Sequence, residues 1–162
     1  MDEICYRPVG EVRSPFETPA DVPRNVEDST EARGTIELDP AYEAGLAELD
    51  GFSHVTVVAH LHRSEGFDLR IHPPWTDARP GVFATRSPRR PNPIATSVCR
   101  LTGVEGSTVR VRDVDLVDGT PVLDLKPFAP KPHEIDGVEM GWLADAGDDG
   151  DDGDDDCVSA EE

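Results

Sequence analysis

A chain of 162 residues, 36% of them apolar, has enough length for one domain with a single core. It holds no apolar run of about 18 residues, which excludes a membrane-spanning helix. Its 34 acidic against 15 basic residues set the net charge at −19, contrary to what a nucleic-acid binder ordinarily carries.

Ten of the acids and none of the bases fall in 144–162, which is nearly all Asp and Gly between 145 and 156. That segment is too polar to bury a core and reads as a disordered acidic tail following a domain over 1–143. The domain is itself acidic, with 24 acids against 15 bases, and only Lys126 and Lys131 are lysines. Abundant carboxylates with few lysines suit concentrated salt, where self-repulsion is screened, so a halophilic source is expected. In such salt the phosphate-contact contribution fades, and RNA recognition leans on stacking, shape and a local basic patch. Cys5, Cys99 and Cys157 form an odd set without metal-type spacing, and the acidic N-terminus lacks a signal-peptide pattern. Both point to reduced thiols in a cytoplasmic protein.

In chain order, strands are expected over 6–12 and 34–38. A helix follows over 39–50, with Asp39 as cap, Pro40 in the first turn, and Leu46 and Leu49 as its apolar face. From 53 to 61 the alternation is regular: Val55, Val57, Ala59 and Leu61 share one face, and His54, Thr56, Val58 and His60 the other. The period of two carries His62 onto the histidine face. Further strands are expected over 67–71, 94–104, 108–117 and 122–125. The phase changes between Val111 and Val114, as a bulge near Arg112-Asp113 would require. Asp118-Gly119 reads as the tight turn of a hairpin into the last strand. One helix among many short strands predicts a mainly β fold, a small closed or nearly closed β-barrel. No Gly-rich strand-to-helix turn supports a doubly wound nucleotide fold.

Residues 81–94 read Gly-Val-Phe-Ala-Thr-Arg-Ser-Pro-Arg-Arg-Pro-Asn-Pro-Ile. Pro88, Pro91 and Pro93 stiffen this loop and remove donors from any ladder. Arg86, Arg89 and Arg90 crowd into it, so either the arginines are solvated or an anionic or π-rich ligand offsets their repulsion. The string Ala-Thr-Arg-Ser-Pro-x-Arg-Pro-Asn-Pro-Ile resembles the signature of the TsaA-like (YaeB-like) family of S-adenosylmethionine-dependent tRNA methyltransferases. Val-Gly-Glu-Val-Arg-Ser-Pro-Phe at 9–16 is similar to that family's opening strand and turn, and Val22-Pro23-Arg24 to its next loop. Gly51-Phe52-Ser53-His54 and the run from Asp115 through Val122, followed by Asp124-Leu125-Lys126-Pro127, resemble later segments. The likeness covers about 6–130.

The resemblance implies a β-barrel homodimer that binds S-adenosylmethionine without a Rossmann domain and methylates the N6 nitrogen of N6-threonylcarbamoyladenosine beside the tRNA anticodon. Matching motif to motif, it implies cofactor contacts at Asn25, Val26, His62, Arg63, Arg86, Thr96, Asp113, Val114 and Asp115. The chain departs from the family pattern at Asn25-Val26-Glu27, where Gln-Pro-Gly is common, at Ala95, commonly Gly, and at Arg63, commonly Gln.

Arg86 is the candidate for the methionine carboxylate, which a guanidinium binds in bidentate fashion, and Asp115 is a candidate neighbour for the cationic donor. A ureido nitrogen is a weak nucleophile, so a base would help, and His62 and Asp118 are both placed to be considered. Asp118 reads equally as a turn residue and His62 as the surface end of a strand. Arg89 and Arg90 are candidates for RNA phosphate. Trp75 either stacks on a base or covers the core. Two other readings stand beside this one. One is a module that binds S-adenosylmethionine or RNA without turnover. The other is a cupin-like metal enzyme using His60, His62 and Glu65, with His72 as a fourth ligand; no structural metal is expected under the leading reading.

Overall fold

The computed structural model describes residues 2–23, 31–74 and 76–129. The expectations placed on Arg24, Asn25, Val26, Trp75, Lys131, Cys157 and the acidic tail lie outside these residues.

Six antiparallel strands close a barrel: β1 (Gly10–Arg13), β2 (Arg33–Leu38), β3 (His54–His60), β4 (Ile94–Glu105), β5 (Thr108–Arg112) and β6 (Pro121–Pro127). Their order around the wall is β1-β2-β5-β4-β3-β6, with β1 and β6 completing the ring. The period-two reading of β3 holds, since Val55, Val57 and Ala59 are buried while His54, Thr56 and Val58 are half-buried on the outer side. Their inward partners are Val12, Ile36, Cys99, Val109, Val111 and Val122, all but fully enclosed. Short, mostly β-branched side chains at these positions fill a narrow barrel, and each buried Val or Ile contributes roughly 1.5–3 kcal/mol by leaving water.

Two bulges set the phase of the wall. Thr102 is the extra residue where β4 runs from Leu101, opposite Val111, to Gly103, opposite Arg110. Leu123 is the extra residue in β6, between Val122 opposite Ala59 and Asp124 opposite Val58. Each bulge lets apolar residues three apart, Leu101 with Val104 and Val122 with Leu125, point toward the same core. Gly34 fits where it does because a Cβ there would lie 2.6 Å from the Arg13 carbonyl oxygen and 3.0 Å from Val114 Cγ1.

Five sequence expectations need correction. The helix near 39–50 is 3-10 rather than α, in two pieces, Pro40–Leu46 and Leu49–Gly51, with Asp39 capping the Ala41 N–H as expected. Gly45 and a single buried side chain in the first piece, Leu46, give too little apolar face to propagate an α-helix. The strand expected over 67–71 does not form: Phe67 and Leu69 are exposed, and the segment's ladder pairing among the described residues is an isolated Arg70–Gly81 bridge. A closed six-strand ring has no free edge to receive it. β5 stops at Arg112 because Asp113 takes φ 62°, so the phase change before Val114 comes from the chain leaving the sheet, not from a bulge. The Asp118-Gly119 turn exists, with Gly119 at φ 72°, but it ends a crossover between unpaired strands. The tight hairpin joins β4 to β5 instead, with Gly106 at φ 56°. The first strand also starts later than expected, at Gly10.

Candidate functional site

The proline-braced loop is held against the start of β4 by its own polar groups. Arg86 Nη2 donates to the Thr96 carbonyl oxygen at 2.5 Å and to its hydroxyl at 3.3 Å. Arg90 Nη1 turns inward and donates to the carbonyls of Thr85 at 2.9 Å and Ser87 at 3.3 Å, which makes it a brace of the loop. Arg89 Nε pairs with Asp68 Oδ2 at 3.1 Å, both exposed. The Ser64 hydroxyl donates to the Pro88 carbonyl at 2.8 Å, tying in the segment after β3. Crowded arginines are thus stable here because backbone carbonyls and one carboxylate receive them. This answers part of the repulsion without any ligand.

His62 reaches the same place from the end of β3. His60 pairs with Ile94, the Leu61 N–H donates to the Pro93 carbonyl at 2.7 Å, and the His62 N–H to the His60 carbonyl at 2.8 Å. Arg63 Nε donates to His62 Nε2 at 3.4 Å, which leaves the ring proton on Nδ1. Partial burial, then the neighbouring Arg63 and His60 charges, hold the His62 pKa below its ordinary value. The ring is therefore neutral near pH 7.

The third wall is the segment after β5. Ser97, on the inward face of β4 and next to Thr96, donates through its hydroxyl to Asp115 Oδ1. The Cys99 thiol lies 3.7 Å from the Ser97 hydroxyl and 4.0 Å from the Asp113 carbonyl oxygen. Burial pushes that thiol up to about 11, against relief from the Ser97 contact and reinforced by Asp115 and Asp113. Asp113 Oδ1 accepts the Glu31 N–H at 2.9 Å, so it anchors the chain just before β2. Val114 is buried and its N–H goes to the Ala32 carbonyl, leaving only its own carbonyl for a ligand.

Arg86 is therefore tied to Thr96 and Asp115 to Ser97, adjacent residues near the start of β4 whose side chains take opposite faces of the wall, with His62 and Arg63 following the end of β3 that pairs there. Asp118 is used elsewhere: it accepts the Ser14 N–H at 3.1 Å, lies 3.9 Å from Arg13 Nη1, and donates its own N–H to the Phe16 carbonyl. Among the described residues, no three His, Cys, Asp or Glu side chains are grouped to hold a metal ion, so the His60, His62, Glu65 and His72 reading gains no support. Ser97 and Ser64 were not singled out in the sequence, and Cys99 was read there only as a reduced thiol. Ser97 carried one usable signal, being the polar member of an inward-facing alternation with Cys99.

A family model for the tRNA-methyltransferase O N-terminal domain matches residues 11–134. The chain belongs to that family. It is 44% identical over 140 residues to a probable S-adenosyl-L-methionine-binding protein of Pyrococcus abyssi, covering 86% of this chain and 76% of that one. Against the mouse tRNA (adenine(37)-N6)-methyltransferase it is 35% identical over 132 residues, covering 77% of this chain and 31% of that one. A crystal structure of TrmO superposes with a TM-score of 0.72 at 36% identity, over 86% of this chain and 64% of the other. TrmO from Pseudomonas aeruginosa gives 0.72 at 35%, over 86% and 62%. The chain thus spans somewhat under two thirds of those solved family members.

The chemistry of two of these side chains fits S-adenosylmethionine. Arg86 keeps guanidinium N–H groups beyond those aimed at Thr96, available to a carboxylate, and Asp115 keeps a second oxygen available to an ammonium or sulfonium.

Proposed function

We propose that this barrel is an S-adenosylmethionine-dependent tRNA methyltransferase whose acceptor is the N6 nitrogen of N6-threonylcarbamoyladenosine beside the anticodon. The carrying observation is that Arg86 and Asp115 are each tied to the same stretch of β4, through Thr96 and through Ser97, inside the segment that the family model matches. The cofactor supplies an electrophilic methyl carbon. What the chain supplies is placement: the Arg86–Thr96 clamp fixes the loop against β4, and the three prolines keep it stiff, so donor and acceptor can be held in line. Asp115 favours a cation nearby, and Arg86 receives a carboxylate. His62, neutral near pH 7, is the candidate to take the acceptor's proton once Arg63 releases Nε2. The target base lies in a single-stranded loop, where stacking and edge contacts can read it without opening a duplex.

Asn25 and Val26 are the remaining cofactor contacts in this reading, and a homodimer in the cytoplasm is the expected working form. Relatives named only for S-adenosyl-L-methionine binding favour a second reading, a module that binds without turnover. One experiment separates the two. Purified protein is incubated with the donor and with tRNA carrying threonylcarbamoyladenosine, and nucleosides are analysed by mass spectrometry. Appearance of the N6-methylated nucleoside is the expected result. Donor binding by calorimetry with no methylated product would leave only the binding module.

A further inference from the structure

The outer face of the barrel is zoned by charge along β1, β2, β5 and β4. Strand register aligns Glu11, Glu37, Thr108 and Glu105 in one outward rung, and Arg13, Thr35, Arg110 and Gly103 in the next. The third rung is Arg33, Arg112, Arg100 and His54. Arg100 and Glu105, five residues apart, share this outer face only because Thr102 bulges between them. The acidic rung satisfies the middle one: Arg13 pairs with Glu11 and Glu37, and Arg110 with Glu105. The third rung is left without such relief. Arg33 and Arg112 have no ion-pair partner among the described residues, and Arg100 Nε is 3.7 Å from Asp113 Oδ2 with its side chain 60% exposed.

Like charges directly opposite one another weaken a sheet, and here three guanidiniums stand in a row across three strands. In a chain of net charge −19, such a row invites a polyanion with repeated bidentate acceptors. An open groove of about 500 Å³ beside it is lined by Arg13, Arg33, Arg110 and Arg112, with Ser14 and Thr35. The row also abuts the candidate site, since Asp113 follows Arg112 directly and lies beside Arg100. We propose that Arg33, Arg112 and Arg100 dock the phosphate backbone of the RNA substrate, placing it against the rim that carries Arg86 and Thr96. This rests on the reading of the chain as a tRNA methyltransferase.

The test uses the full chain and tRNA carrying threonylcarbamoyladenosine. Arg33→Glu with Arg112→Glu is compared with Arg7→Glu plus Arg79→Glu, a control of equal charge change at exposed sites off this face. The face variant should weaken tRNA binding by at least about tenfold more than the control, and reduce the slope of log K against log salt by about 1.5. Its affinity for S-adenosylmethionine should match the parent's. Equal loss in both variants, or no loss, overturns the proposal. If the reversal does not fold, Arg33→Gln with Arg112→Gln relieves repulsion while removing both cations, and parental tRNA affinity in that variant is equally fatal. A parent that methylates tRNA while the face variants bind normally sinks the docking surface alone. A parent that neither binds nor methylates tRNA sinks the tRNA reading and the surface with it.

Discussion

One guanidinium nitrogen of Arg86 reaches two oxygens of Thr96, the carbonyl at 2.5 Å and the hydroxyl at 3.3 Å, and thereby ties the proline-braced loop to the wall strand β4. The same side chain that would face a donor carboxylate is thus also part of the loop's attachment. Arg86→Ala should lower affinity for S-adenosylmethionine by roughly 1.5–3 kcal/mol, the range for a hydrogen bond to a charged group. Arg86→Lys should recover little, because an ammonium lacks the planar fork. Calorimetry reads the affinity, and a melting curve on the same samples shows whether the fold survives; parental affinity in a folded Arg86→Ala variant would remove Arg86 from the pocket.

Ser97 is enclosed and directs its hydroxyl at Asp115, which is exposed. Ser97→Ala should cost about 1–2 kcal/mol in urea unfolding and loosen Asp115, weakening donor binding as well. Unfolding that is unchanged with donor binding unchanged would mean that Asp115 is placed by other contacts.

Cys99 carries a thiol pushed from its ordinary 9.0 up to about 11 by burial. A raised folded-state pKa means the folded form keeps its proton longer than the unfolded form. This contribution to stability is therefore intact below pH 9.0 and is lost as pH rises toward 11. Cys99→Ala should flatten that alkaline decline in denaturant midpoints. In native protein, Cys99 should resist thiol reagents that modify exposed Cys5.

His62 shifts the other way, its pKa lowered by partial burial and by the Arg63 and His60 charges. With a depressed folded-state value, its contribution to stability is present above the ordinary 6.5 and is lost as pH falls through the folded value. The acid limb of the methyl-transfer profile should accordingly lie below pH 6.5. His62→Gln should abolish that limb; a profile unchanged in this variant would take His62 out of the proton's path.

Ile36 is fully enclosed at the centre of β2, and its truncation leaves a hole that the closed wall cannot collapse to fill. Ile36→Ala should destabilise by about 2–5 kcal/mol in denaturant unfolding. Loss well below that would mean the barrel interior relaxes more freely than its β-branched packing implies.

What could be read directly from the residues was whatever depends on near neighbours. The alternation through Val55, Val57 and Ala59 requires a strand with one enclosed face, and the prolines around Arg86 require a stiff loop, whatever the rest of the chain does. The barrel class followed from many such short segments and one weak helix. The extra strand over 67–71 failed because a strand needs an edge to join, and closure of the ring is a property of the whole sheet. Arg90 looked like a free cation until folding aimed it at Thr85 and Ser87. The meeting of Ser97 with Asp115, and the row of Arg33, Arg112 and Arg100, depend on pairing across strands far apart in sequence. Register and the Thr102 bulge decide both, because a shift of one residue turns every side chain of a strand to the opposite face.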